Sequence, residues 1–415
     1  MHVNINQKYN DQAVAKQTSS LIRKCVHCGF CNATCPTYQT LGDERSGPRG
    51  RISIIKDLLE GKPTSTDSLK HLDQCLLCRN CETTCPSGVQ YSKIYEYGKP
   101  FMEKIEKRYF VLRISRLLVK KFLLSRVFHF TIFFAKIFKP ILPQRIKAFL
   151  PNKTLKSPDR IVNHINKLNN KKKSYNVLIF QGCVQKSLRP TINGATEIVL
   201  QASNCKTFIA SDSVCCGALE GHLSDKKAKL NRVKQNIQYW AKLIQRNNID
   251  FLVSTASACS YEIKGYLEIN ELTVEEKKSV KNILNITKDI SELLPHIYDS
   301  LKDTLEVGDE KIAFHPPCTL QHGLKVSGFV EKYLTDFGYN IEAGFPEKNL
   351  CCGSAGTYSI FNPKIATQLR ERKLNNLDRT GCEQILTANV GCITHLQSNS
   401  KKPVKHWIER IAEDI

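Results

Sequence analysis

The sequence lacks a run that would cross a bilayer as a helix. Such a span needs about 20 mainly apolar residues, and in the most apolar and aromatic segment, 101–151, the longest run free of Lys, Arg, Asp and Glu is 127–135. Residues 1–20 hold no apolar leader core, so neither secretion nor a disulfide framework is expected. A GxGxxG following a strand and a Walker loop are both missing, which excludes FAD or nicotinamide binding by a recognisable motif. Acid is scarce too: 39 Asp and Glu against 61 Lys and Arg leave a formal charge of +22. That balance points to an anionic partner such as a membrane surface or an acidic subunit. Nucleic acid is not expected, because the basic residues are neither interleaved with an aromatic platform nor set in a helix-turn-helix pattern. The joint abundance of Lys and Asn looks partly like a genome-wide bias, so charge alone says little.

Cysteine, by contrast, is abundant, with 18 residues. Two stretches share one grammar: Cys25-Val-His-Cys28-Gly-Phe-Cys31-Asn-Ala-Thr-Cys35-Pro36 and Cys75-Leu-Leu-Cys78-Arg-Asn-Cys81-Glu-Thr-Thr-Cys85-Pro86. Each reads CxxCxxCxxxCP, the bacterial ferredoxin run that holds a [4Fe–4S] cube. Two-residue spacers let a tight loop wrap three thiolates onto one cube while backbone N–H groups face the sulfurs. The fourth cysteine of such a run crosses to the other cube, which assigns Cys25, Cys28, Cys31 and Cys85 to one cluster and Cys75, Cys78, Cys81 and Cys35 to the other. Pro36 and Pro86 fix φ where the chain turns away. Zinc takes four ligands, usually from two separated CxxC knuckles, and CxxCxxC has one thiolate too many for a knuckle.

At 415 residues the chain exceeds one ordinary core, and 41% hydrophobic residues fit a soluble globular protein. The expected organisation is a tail (1–20), a ferredoxin-like module (21–105), a basic amphipathic segment with linker (106–173) and two repeated domains (174–298 and 299–415). Between the cysteine runs, Gly47-Pro48-Arg49-Gly50-Arg51 leads into Ile52, Ile54, Ile55, Leu58 and Leu59, spaced for a short amphipathic helix ended by Gly61. Arg49 and Arg51 read as solvated surface arginines rather than groups facing a cluster.

In the third segment Arg113, Arg116 and Lys120 fall on one helical stripe, interrupted by Leu117, while Phe122, Phe128, Phe130, Phe133, Phe134 and Phe138 supply apolar bulk. Two readings stand side by side: a helix lying in an anionic interface, or a helical pair packing on the protein itself or a partner subunit. Pro140, Pro143, Pro151, Pro158 and Lys171-Lys172-Lys173 then read as linker.

The second half repeats itself. Cys183 ends NVLIFQGC, Cys215-Cys216-Gly217 follows TFIASDSV and Cys259 follows DFLVSTASA. Cys318 follows KIAFHPP, Cys351-Cys352-Gly353 follows a loop and Cys392 follows QILTANVG, at offsets of 135, 136 and 133 residues. Short apolar strands alternate with helical stretches such as 226–245 and 364–376, which predicts an α/β class built of βαβ units with mostly parallel sheets. Parallel strands deliver their carboxyl-end loops to one edge, where distant cysteines converge. The glycine after each pair allows close backbone approach, and a helix starting beyond it aims N–H groups at an anionic centre. Cys205 and Cys382 fall outside both patterns and are expected as buried small hydrophobes.

With CVHCGFCNATCPTYQTLGDERSGPRGRI, CRNCETTCPSGVQY, LCCGSAGTY and HWIE, the chain resembles the iron–sulfur subunit of glycolate oxidase (glycolate dehydrogenase) over nearly its whole length, most weakly in 106–173. The ferredoxin half is similar to many electron carriers, including the iron–sulfur subunit of anaerobic glycerol-3-phosphate dehydrogenase, and the CCG halves resemble heterodisulfide reductase. The heterodisulfide-reductase motif ends in CxxC, whereas here the ends read Ala256-Ser257-Ala258-Cys259 and Asn389-Val390-Gly391-Cys392, one thiolate short. Four thiolates remain in each repeat, so Cys183, Cys215, Cys216 and Cys259 form one candidate cluster set and Cys318, Cys351, Cys352 and Cys392 the other. The alternative is vicinal cysteines that simply pack or pair. His315 and His395 sit near the second set as ordinary, backbone-satisfied histidines.

The resemblance implies FAD-containing partner subunits that oxidise glycolate to glyoxylate. This chain would drain the flavin one electron at a time, toward a quinone in the membrane, from the inner face of the inner membrane. Related lactate or glycerol-3-phosphate dehydrogenases, a thiol–disulfide reductase on the CCG repeats, and a zinc scaffold are the competing readings.

Overall fold

A computed structural model describes residues 1–9, 12–138, 150 and 174–415. The linker features Pro140, Pro143, Pro151, Pro158 and Lys171–Lys173 lie outside the described residues. The chain divides into two compact units, one of residues 1–118 and 349–373, the other of 119–348 and 374–415.

The first unit is helical. Pro48 occupies the first turn of the helix Pro48–Leu59, where its missing N–H costs nothing, and Gly61 follows at φ 75°. This helix buries Ile52, Ile55, Leu58 and Leu59 against Ile22 of Ala13–Arg23, Leu69 and Leu72 of Thr66–Asp73, and Ile94 and Met102 of Tyr91–Ile105. Gly98 is what lets the last of these approach: a Cβ there would sit 2.6 Å from Cγ2 of Ile55.

The second unit holds two four-stranded, all-parallel sheets. Strands β1 (Asn176–Phe180), β2 (Lys206–Ile209), β3 (Phe251–Ser254) and β4 (Thr287–Asp289) run in the order β2-β1-β3-β4. Strands β5 (Lys311–His315), β6 (Asn340–Glu342), β7 (Gln384–Thr387) and β8 (Val404–His406) repeat that order as β6-β5-β7-β8. The repeat and the parallel α/β class are thus borne out. The helices at 226–245 and 364–376 appear as Lys226–Asn247 and Pro363–Asp378. Cys205 and Cys382 are buried, as expected, and burial raises the Cys205 thiol to about 11.

The two halves of this unit meet at His406. Its Nε2–H donates to the Thr255 carbonyl at 2.9 Å, and its Nδ1 accepts from the Ile408 N–H at 3.2 Å. Burial lowers its pKa from 6.5 to about 3. A folded-state value below the unfolded one contributes stability above pH 6.5 that is lost as pH falls, by up to ~1.4 kcal/mol per unit. The fall in Tm from about pH 7 to about pH 5 is therefore expected to be smaller in His406→Gln, and equal falls would contradict this.

Two of the three cations of the basic stripe do not face outward. Arg116 lies 3.6 Å from Asp73 with its side chain 11% exposed, in a cluster with Lys99 and Arg108, and Lys120 pairs with Asp225. Arg116 and Lys120 have thus found carboxylates, while Arg113 is exposed beside the apolar side of Phe110–Leu123, where Phe110, Val111, Leu117 and Leu118 are exposed. The helix Arg126–Ile137 likewise exposes Val127, Phe130, Phe133, Phe134 and Ile137. Among the described residues no helix is long and apolar enough to cross a membrane.

Candidate metal centres

Each ferredoxin run folds into the same strained loop. His27 and Leu77, one residue before the second cysteine, take φ of 59° and 51°, and Gly29 and Arg79, one residue after it, take 85° and 62°. A left-handed non-glycine residue costs roughly 1–2 kcal/mol, so three such residues mark a backbone held for a purpose. The loops open onto two hollows in the first unit. Cys25, Cys28, Cys31, Cys81 and Cys85 line one, and Cys35, Cys75, Cys78 and Cys81 line the other, so that Cys81 borders both.

The donor set suits a polycationic group. Burial and the neighbouring charges of Cys25, Cys35 and Cys85 push the Cys31 thiol up to about 11, and burial raises Cys81 as well. Crowded thiolates repel one another, and a bound cation reverses that balance. Donors already point at the sulfurs: the Leu77 N–H and the Tyr91 hydroxyl lie 3.4 Å from Cys75 Sγ, and the Val89 N–H lies 3.5 Å from Cys85 Sγ. The residues present therefore fit iron–sulfur cubes.

Arg51 departs from the sequence expectation. It is 1% exposed and lines the second hollow, because the helix that carries it turns that position inward between the cysteine loops. Arg49 stays partly exposed, its Nε 2.6 Å from Glu44 Oε1 and its NH1 donating to the His27 carbonyl at 3.3 Å.

In the second unit the carboxyl ends of β1, β2 and β3 bring Cys183, Cys215, Cys216 and Cys259 together. Their sulfurs form a hydrogen-bonded row in that order. Hydrogen bonds from the neighbouring Cys183 and Cys216 thiols and from the Gly217 N–H, 3.5 Å from its Sγ, hold the Cys215 thiol well below its ordinary pKa. Gly217 takes φ 95° and starts the helix Ala218–His222. Asn236 Nδ2 donates to the Cys215 carbonyl at 3.1 Å and the Tyr266 hydroxyl to that of Cys216 at 2.7 Å, pinning the pair. Burial, with the Cys215 charge, raises Glu220 to about 7. None of these three supporting residues carries a sequence signal beyond Glu220's closeness to the CCG.

The second candidate set is divided between the units. Cys318 follows β5 and Cys392 lies in the helix Val390–Gln397 of the second unit, where His315 is buried at the end of β5 and His395 is half-buried. Cys351 and Cys352 belong to the first unit. Gly353 takes φ 91°, its N–H 3.5 Å from Cys351 Sγ, and a Cβ there would meet the Ala366 carbonyl at 2.7 Å. This segment is tied to the ferredoxin helices by paired contacts between Asn80 and Asn349 and by Asn362 Nδ2 donating to the Asp73 carbonyl, each 3.4 Å.

Residues 21–89 match the 4Fe-4S dicluster domain family, and 177–264 and 312–397 match the cysteine-rich domain family. The glycolate oxidase iron-sulfur subunit of Escherichia coli is 39% identical over 416 residues, covering 100% of this chain and 99% of that protein. This chain belongs to the glycolate oxidase iron–sulfur subunit family. A probable glycolate oxidase iron-sulfur subunit of Bacillus subtilis is 25% identical over 90% of this chain and 88% of its own length. Lactate utilization protein A of Shouchella clausii is 23% identical over 53% of this chain and 90% of its own. The resemblance read from the cysteine motifs thus holds along the full sequence, and the family places the chain as an iron–sulfur, electron-transferring subunit of an oxidoreductase.

Proposed function

We propose that this chain passes electrons from FAD-containing partner subunits, which oxidise glycolate to glyoxylate, to a quinone-type acceptor at the inner face of the cell membrane. The observation that carries the reading is the pair of hollows in which each cysteine run contributes its fourth thiolate to the other run's site. Cys25, Cys28, Cys31 and Cys85 hold one [4Fe–4S] cluster; Cys35, Cys75, Cys78 and Cys81 hold the other. Cys183, Cys215, Cys216 and Cys259 hold a third, and Cys318, Cys351, Cys352 and Cys392 are the residues for a fourth. When bound, such groups supply one-electron acceptance, which a two-electron flavin donor requires. The protein's part is to bind them, to aim N–H and O–H donors at their sulfurs and to keep water from the inner site. The hydrogen-bonded row at Cys215 also suits the thiol–disulfide reductase reading, and reduction of a disulfide by the isolated, electron-fed chain would favour it. The test of the main reading is coexpression with the flavoprotein subunits and a substrate panel: glycolate-dependent acceptor reduction is expected, and turnover of lactate or glycerol 3-phosphate alone would overturn the substrate.

Membrane docking in this reading rests on the outward apolar faces of Phe110–Leu123 and Arg126–Ile137, since Arg116 and Lys120 are engaged internally. Burying a phenylalanine stabilises by about 1.5–3 kcal/mol, so Phe130→Lys with Phe134→Lys should cut vesicle binding tenfold or more. Complete release of the unmodified protein by salt alone would show charge, not apolar contact, to be the anchor.

A further inference from the structure

Four thiolates leave a bound [4Fe–4S] cube anionic, more so when reduced, and net charge and hydrogen bonds at the sulfurs set its potential. A cation buried beside one cube therefore favours reduction of that cube. Arg51 is placed to be such a cation. It lines the second hollow with Cys35, Cys75 and Cys78, 1% exposed. Its Nε donates to the His71 carbonyl at 2.8 Å and its Nη2 to Thr37 Oγ1 at 3.0 Å, and that oxygen lies 3.3 Å from Cys35 Sγ. Both of these partners are neutral, and no carboxylate pairs with Arg51 among the described residues. An unpaired buried charge is costly, and the acidic groups that share the hollow with this guanidinium are the thiols of Cys35, Cys75, Cys78 and Cys81 and the Tyr91 hydroxyl. The first hollow differs, because its arginine, Arg49, is already neutralised by Glu44.

We propose that Arg51 is the resident counter-charge of the second cube, raising its reduction potential so that electrons arriving at the first cube move on to the second. The inference rests on the reading of the two hollows as cube sites. The first hollow has the outer rim, with Cys28 exposed and Val26 and Phe30 at 68% and 61% exposure, which suits docking of the electron donor, the partner's reduced flavin. Tyr358 is buried, and its hydroxyl has no hydrogen-bond partner. Cys35 and Cys81 of the second hollow are buried and none of its four cysteines is exposed, which makes the second cube the inner station. Each transfer moves one electron from the first cube to the second and no proton.

The test is an anaerobic redox titration of the full chain, followed by electron paramagnetic resonance, for wild type, Arg51→Gln and Arg51→Lys, with iron and labile sulfide measured on each. Arg51→Gln should lower the midpoint of one cube signal by roughly 59 mV, a tenfold change in a one-electron equilibrium, and leave the other in place, while Arg51→Lys shifts less. Loss of one cube from Arg51→Gln with retention in Arg51→Lys would equally support the charge. Unmoved midpoints with both cubes present, or loss of a cube from both variants, would overturn the role of Arg51. Absence of iron and sulfide from the wild type would instead sink the cube reading itself.

Discussion

Cys31→Ser and Cys85→Ser, far apart in sequence, are expected to remove the same cube, whereas Cys31→Ser and Cys35→Ser, four residues apart, are expected to remove different ones. The reason is the crossing of the fourth cysteine: Cys85 closes the hollow of Cys25, Cys28 and Cys31, and Cys35 closes that of Cys75, Cys78 and Cys81. Groups acting as one unit are not additive when removed together. The Cys31/Cys85 double variant should then lose no more iron and sulfide than either single variant, and the Cys31/Cys35 double variant should lose both cubes. The reverse pattern would mean that each run closes its own cube.

The second large effect concerns the assembled complex. Cys78→Ser, which opens the inner hollow, should leave glycolate able to bleach the flavin of the partner subunit, because hydride transfer happens there. Acceptor reduction should fall by roughly a hundredfold, equivalent to about 2.7 kcal/mol in the barrier. Stopped-flow absorbance of the flavin beside steady-state acceptor reduction separates the two. Unchanged acceptor reduction would place the second cube off the route, and loss of flavin bleaching would mean that the variant damages the partner interface instead.

The sequence carried what depends on spacing. The CxxCxxCxxxCP runs, the repeat offsets and the apolar strands NVLIF and QILT are local patterns, and the structure returns them as two hollows and two sheets of one strand order. The edge strands β4, β6 and β8 are not legible, because TKD, NIE and VKH are three residues long, too short for an alternation or an apolar run to stand out. Nothing in GPRGR says which face of the coming helix is buried, so the burial of Arg51 has no local signal. Arg116 and Lys120 keep helical spacing whichever way they point, and only Asp73 and Asp225, distant in sequence, turn them inward. Nor does any local signal say that Cys351 and Cys352, in the midst of the second repeat, pack with the ferredoxin module through Asn349 and Asn362.

The most direct measurement is the amount of iron and acid-labile sulfide per chain in protein purified without air. Both are expected in equal amount, at two cubes per chain or more, with a brown chromophore that bleaches on reduction. Zinc in place of iron, or all 18 cysteines titrating as free thiols with no sulfide, would contradict it.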